Sequence, residues 1–185
     1  MEESLFTQGG SAASIKTFFE KDTPLTGIGY AALASAHLAE GNKSEAAKFA
    51  AKSWRDFQIP GLLETGFLSR FRDLLTEKDH KWRFDRMVTD DVRWAGNRSD
   101  RAAFARRVIP LLSEPEQKKA LARLAVFNKS ANARTLMAAT PADPADTGLA
   151  YHRAQLLRKA EKTEEAAKII LSYPPDPEKI AVVDE

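Results

Sequence analysis

Three histidines, His37, His80 and His152, are the side chains in this sequence best suited by type to bind a metal or carry a proton near neutral pH. Each falls on a different helical stretch, and none has the second histidine four residues away that puts two imidazoles on one helix face. Helix packing or simple surface placement is therefore expected for all three. Asp90 and Asp91 invite comparison with a catalytic carboxylate pair, but adjacent side chains point apart on a helix and the surrounding segment reads as loop, so solvated charge is expected there. No glycine-rich phosphate loop, Gly-x-Ser-x-Gly turn or His-Glu-x-x-His string occurs. No catalytic, cofactor-binding or metal-ligating residue is assigned, and no cofactor is expected. Arg93, Arg98, Arg101, Arg106 and Arg107 form the most basic patch, interrupted by Asp90, Asp91 and Asp100. A nucleic-acid footprint needs several uncompensated charges on one face, so no nucleic-acid partner is expected. Trp54, Trp82 and Trp94 have rings that could stack on sugars, and core filling is the default for each.

The charge balance agrees. Among 185 residues, 28 basic side chains nearly cancel 26 acidic ones, leaving a net charge of +2 and no global field toward a polyanion. Cysteine is absent, which excludes disulfides and thiolate metal sites without deciding the compartment. No apolar run reaches the length of a membrane span, so none is expected. Met1 to Gly10 has two glutamates where a secretory signal carries basic residues, and no apolar core follows, so it does not read as an export signal.

The elements that would position any site are helical. Thr23 to Trp54 spells a helical hairpin: Thr23 as cap with Pro24 at the first position, Gly41-Asn42 as the stop, and Ser44 as cap of a second helix starting Glu45-Ala46-Ala47-Lys48. The first helix carries two apolar stripes, Leu25, Ile28, Ala32, Ala36 and Ala39 beside Tyr30, Leu33 and His37, and so needs neighbours on two sides. The second puts Ala46, Phe49, Ala50, Trp54 and Phe57 at helical spacing. The same order returns at Gly148 to Ala160, with Thr163 as cap and Glu165-Ala166-Ala167-Lys168 repeating the earlier tetrapeptide. The whole reads as an all-α chain, a superhelical solenoid of antiparallel helical hairpins resembling tetratricopeptide repeats without their strict period.

Along the chain, residues 1–10 are expected as a disordered lead-in, 11–173 as a single α-solenoid domain and 174–185 as an extended tail. Ser11 caps a short helix with Ile15, Phe18 and Phe19. Pro60 opens a helix through Leu62, Leu63, Phe67, Leu68 and Phe71. Thr76 and Asp79 form a capping box with aspartate in the glutamate position. The helix they start runs to about Val88, with His80, Phe84, Met87 and Val88 inward and Trp82 toward a neighbour. Thr89 to Asp100 reads as loop with Trp94 its one buried candidate. Phe104, Val108, Leu111 and Leu112 resume the helical period until Pro110 interrupts it. Ser113 caps the next helix, lined by Ala120, Leu121, Leu124 and Phe127, and a short helix spans about Ala131 to Ala139.

Several of these stretches together resemble the helical superhelix that precedes the catalytic domain in soluble lytic murein transglycosylases. They are Leu74-Leu75-Thr76-Glu77-Lys78-Asp79-His80-Lys81-Trp82-Arg83-Phe84-Asp85-Arg86-Met87, then Gly148-Leu149-Ala150-Tyr151-His152-Arg153, then Lys162-Thr163-Glu164-Glu165-Ala166-Ala167, and the Pro174 to Glu185 tail. The resemblance covers roughly the last 160 residues. It implies a non-catalytic scaffold segment of a periplasmic enzyme that cuts peptidoglycan glycan strands with anhydro-ring formation. It also implies two partners, the glycan strands reached through the full-length protein and the protein's own lysozyme-like catalytic domain. That domain's motif, Glu-Ser followed by Gly-Leu-Met-Gln, is not matched; Glu3-Ser4 imitates only its first half and has no expected pocket. The alternative is a free-standing tetratricopeptide-like adaptor that holds a peptide or protein partner.

Overall fold

A computed structural model describes residues 1–20, 22–89 and 96–174. Eleven α-helices and two short 3₁₀ turns make up the regular structure among the described residues, with no strand. The chain divides into two compact units, Met1–Arg83 and Phe84–Glu185. No helix among the described residues is long and apolar enough to cross a membrane.

The first unit is built around α3 (Gly27–Ala39). It is buried without a break from Gly27 to Ala34, so no single neighbour can cover it. Three helices do so: α1 (Glu2–Thr7), α2 (Ala12–Phe18) and α4 (Lys43–Asp56). α5 (Gly61–Phe71), a 3₁₀ turn at Arg72–Leu74 and α6 (Glu77–Met87) as far as Arg83 complete the unit. The expected two-stripe pattern holds at Ile28, Tyr30, Ala32, Leu33 and Ala36, whereas Leu25 and Ala39 are exposed.

Residues 1–10, expected to be disordered, carry α1. A six-residue helix is too short to stand alone, and tertiary contacts hold this one. Phe6 is buried beside the Phe71 ring, 6.4 Å between centroids, with the Arg70 guanidinium 4.8 Å above it. The Glu2 carboxylate accepts the Leu25 and Thr26 amides at 3.0 Å and the Thr26 hydroxyl. These amides lie at the positive end of α3, where an anion is favoured. The cap of α3 is accordingly Thr26, accepting from the Gly29 amide, and Thr23 lies outside the helix.

The second unit holds the remainder of α6, α7 (Arg98–Val108), a 3₁₀ turn at Ile109–Leu111, α8 (Glu114–Phe127), α9 (Ala133–Ala139), α10 (Thr147–Lys159) and α11 (Thr163–Leu171). Its apolar core gathers Ala122, Ala125 and Val126 of α8, Ala133 and Met137 of α9 and Leu149 of α10. Pro110 ends α7 as expected, since its ring cannot continue the helical ladder. α7 begins at Arg98 under an Asn97 cap, inside the segment expected as loop. The calls on Asp90, Asp91, Arg93 and Trp94 and on the tail beyond Pro174 fall outside the described residues.

Three helices stop in the same way. After α3, Asn42 N–H bonds to His37 C=O and Gly41 N–H to Leu38 C=O; after α8, Ser130 bonds to Ala125 and Lys129 to Val126; after α10, Lys162 bonds to Leu157 and Glu161 to Arg158. This double bond pattern places one residue in the left-handed region, Gly41 at φ 78°, Lys129 at 56° and Glu161 at 60°. The next helix then packs back on the one just ended, giving the pairs α3 with α4, α8 with α9 and α10 with α11. The hairpin order anticipated from the repeated tetrapeptide is present in both units. The caps differ from expectation: Asn42, not Ser44, accepts the Glu45 amide, and Lys162, not Thr163, stands before α11.

Within the repeated tetrapeptide the two alanines are not equivalent. Ala46 and Ala166 are buried at 0% and 2% exposure, while Ala47 is half-buried and Ala167 exposed. Ala46→Leu and Ala166→Leu are expected to lose about 1 to 3 kcal/mol by overpacking, with Ala167→Leu close to neutral. Urea midpoints of the three variants check this, and equal midpoints for Ala166→Leu and Ala167→Leu refute it.

Candidate functional site

Each unit buries charge beside a histidine. In the first, Arg83 is fully buried and donates to the Trp54 and Phe57 carbonyls at 2.7 and 2.9 Å, where α4 ends and its last acceptors lack helical partners. Its guanidinium lies 4.0 Å from the Trp54 ring centroid and 3.8 Å from the buried Glu64 carboxylate. The Trp54 ring stacks on Phe67 at 5.4 Å and meets the His80 ring edge-on. Burial pushes the His80 imidazole below its ordinary value, against the pull of Asp79. Asp79 itself closes the expected capping box, accepting the Thr76 amide and hydroxyl at 2.7 Å, and takes an ion pair from Arg55.

In the second unit, Asp85 of α6, Arg123 of α8 and His152 of α10 meet in the interior. Arg123 pairs with Asp85 and donates Nε–H to His152 Nδ1 at 3.3 Å. His152 Nε2 lies 3.1 Å from the Val88 carbonyl and Nδ1 3.0 Å from the Gly148 carbonyl. α10 comes this close because residue 148 is glycine: a Cβ there would lie 2.7 Å from Arg123 Cζ. One turn earlier on α8, Lys119 reaches Glu116 at 2.8 Å, Asp143 at 2.7 Å and Asp146 at 3.7 Å. Burial alone would lower the lysine; the bonds to Asp143 and Glu116 outweigh it and hold the ammonium well above the ordinary range. Asp146 in turn caps α10 through the Leu149 amide. α8 therefore presents two cations, four residues apart, to the start of α10.

The chemistry open to this constellation is the locking of helices. Its cations face carboxylates and carbonyls at contact distance, and its histidine is held neutral. Burial, then the Arg123 guanidinium, push His152 down to about 3. In the unfolded chain the imidazole takes a proton near pH 6.5. Between these values the unfolded chain binds a proton that the folded chain refuses, so stability falls as pH falls through that window, by about 2 kcal/mol at pH 5. His80 shifts in the same direction. Urea midpoints at pH 7 and pH 5 are expected to separate in the wild type and to draw together in His152→Gln. An undiminished separation in the variant rules His152 out as the cause.

The three histidines thus remain apart in role: His37 stacks on Phe49, His80 abuts Trp54, and His152 joins Arg123. Among the described residues no group of three or more His, Asp or Glu side chains is placed to hold a metal. The expected basic patch is dispersed onto internal partners. Arg98 donates to the Phe127 carbonyl at 2.7 Å, Arg101 to the Thr89 carbonyl at 2.6 Å, and Arg107 covers the Phe104 ring at 4.4 Å.

Sequence reasoning missed the buried charges as such. Their signal was phase: Arg123 falls three residues after Ala120 and four before Phe127, on the buried stripe of α8, whereas Leu121, expected inside, is 49% exposed. Two open cavities also belong to the second unit. One, of about 370 Å³, has walls from α7, α8 and α10 and carries Arg98, Lys129, Arg158 and Lys159. The other, of about 350 Å³, is mainly apolar, with Met137, Leu156, Leu157 and Ile169 between Arg134 and Lys162. In comparisons with protein-family models, curated proteins and solved structures, nothing matches the chain.

Proposed function

We propose that the chain is a non-catalytic scaffold segment of a periplasmic soluble lytic murein transglycosylase, its hairpins stacked as a tetratricopeptide-like solenoid. In that role it would hold a separate lysozyme-like domain against glycan strands. One observation carries the reading: the residues on which the resemblance rests are those that lock helices together. Asp79 caps α6, Arg83 binds the end of α4, Asp85 pairs with Arg123, and His152 bridges α8 to the Val88 carbonyl. A motif made of such residues is a signature of architecture, and architecture is what a scaffold contributes.

The purified chain is expected to release no anhydro-muropeptides from peptidoglycan, read by mass spectrometry, because cleavage needs a positioned carboxyl group of raised pKa. Release that survives purification and is lost in Glu164→Gln or Asp91→Asn overturns the reading. The parent gene supplies an independent check: a Glu-Ser plus Gly-Leu-Met-Gln domain following residue 185, and an export signal preceding residue 1, belong to this reading. The adaptor alternative draws support from the apolar cavity between α9, α10 and α11, whose Arg134 and Lys162 rims suit an acidic amphipathic peptide. A gene lacking the catalytic domain favours that alternative.

A further inference from the structure

The cavity walled by α7, α8 and α10 concentrates positive charge over an apolar floor, and we infer that it is a binding site for a small organic polyanion, two or more carboxylates or phosphates on an apolar body. The inference stands apart from the scaffold reading, since an adaptor would carry the site equally. Arg98, Lys129, Arg158 and Lys159 line the cavity, and among the described residues no carboxylate does. Val88, Val126 and Phe127, buried within the unit, form the floor. A volume of about 370 Å³ suits a small molecule and is too small for a folded partner.

Two of the cations are committed in direction. The Arg98 guanidinium is fixed by its bond to the Phe127 carbonyl, 2.7 Å, and lies 5.1 Å from the Phe127 ring centroid, so its charge sits at the floor. Lys129 stands at the wall because α8 ends there, and it does so in the left-handed conformation, φ 56°. A non-glycine residue in that region is disfavoured by about 1 to 2 kcal/mol. Gly41 fills the equivalent position after α3 without that cost. The chain thus keeps a lysine where backbone geometry prefers glycine, at the rim of a cationic cavity. The C-terminal ends of α8 and α10 contribute partial negative charge, about half a unit each, which Arg98, Lys129 and Lys159 outweigh.

The backbone preference supplies a clean test. Lys129→Gly removes a charge while relieving the left-handed strain, so loss of binding cannot be ascribed to loss of fold. Calorimetric titrations of the whole chain would use citrate, pyrophosphate and benzene-1,3,5-tricarboxylate. The expected result is saturable one-site binding for at least one probe, weakened about tenfold in Lys129→Gly/Lys159→Gln, each lost contact being worth about threefold. Lys118→Gln, which removes a single charge on the exposed face of α8, should leave affinity within about twofold. Preference between citrate and pyrophosphate identifies the anionic group, and tighter binding of the aromatic tricarboxylate than of citrate is expected from the floor. No saturable binding up to about 10 mM, or an equal loss in Lys118→Gln, overturns the site. Equal affinity for the two tricarboxylates overturns the role of the apolar floor.

Discussion

Replacing Arg123 with methionine is expected to destabilise the second unit by about 3 to 5 kcal/mol, the largest effect of any single charge change considered. Methionine fills a similar volume, so the loss is not a cavity. It is the Asp85 carboxylate, only 5% exposed, left in the interior without its guanidinium, together with the Nε–H bond to His152. The double variant Asp85→Leu/Arg123→Met removes both charges and is expected to recover most of that loss. A double variant as unstable as the single one would mean that Arg123 acts through packing on Phe84, whose ring lies 5.2 Å from its guanidinium, and not through Asp85. Urea denaturation followed by far-ultraviolet circular dichroism measures both. Arg123→Lys is not a mild change, since an ammonium cannot serve Asp85 and His152 at once with the same planar geometry.

The second large effect is expected at Trp54. Trp54→Ala should cost the first unit about 3 to 5 kcal/mol. The indole is fully buried, stacked on Phe67 with the planes 9° apart and covered on its ring by the Arg83 guanidinium. Its N–H finds no acceptor among the described residues, so what is lost is contact and the seat of a buried cation, not a hydrogen bond. Trp54→Phe, which keeps an aromatic face for Arg83, is expected to lose much less. If Phe and Ala prove equally damaging, the indole's bulk matters and its interaction with the guanidinium does not.

Helix identity was legible because it depends on period, and period survives in a single chain. α4 shows this: Ala46, Ala50 and Trp54, four residues apart, are all buried as their spacing required. Helix boundaries were less legible, for a physical reason. Thr23, Ser44 and Thr163 all have capping side chains, but the chain caps with whichever polar group the tertiary structure brings to the free amides. At α3 that group is the carboxylate of Glu2, distant in sequence, which moves the helix start to Gly27. The disordered lead-in was misread for the same reason, since a six-residue segment has no helical signal of its own. The buried charge clusters were hidden by residue type. Arg83, Asp85 and Arg123 count as surface residues in any hydropathy pattern, and only the three-dimensional pairing shows why each occupies a core position.

The carboxylate of Glu2 also makes a prominent helix accountable to a slender segment. α1 is tied to the rest of its unit by Phe6 and Glu2, and the exposed Gly9-Gly10 pair joins it to α2. A protease that nicks this pair would not merely shorten the chain. It would free the fragment holding Glu2 to diffuse away, strip the Leu25 and Thr26 amides of their acceptor, and uncover Phe71. Limited proteolysis would therefore proceed in two stages, the first cut at the glycines lowering the resistance of α3 to the next.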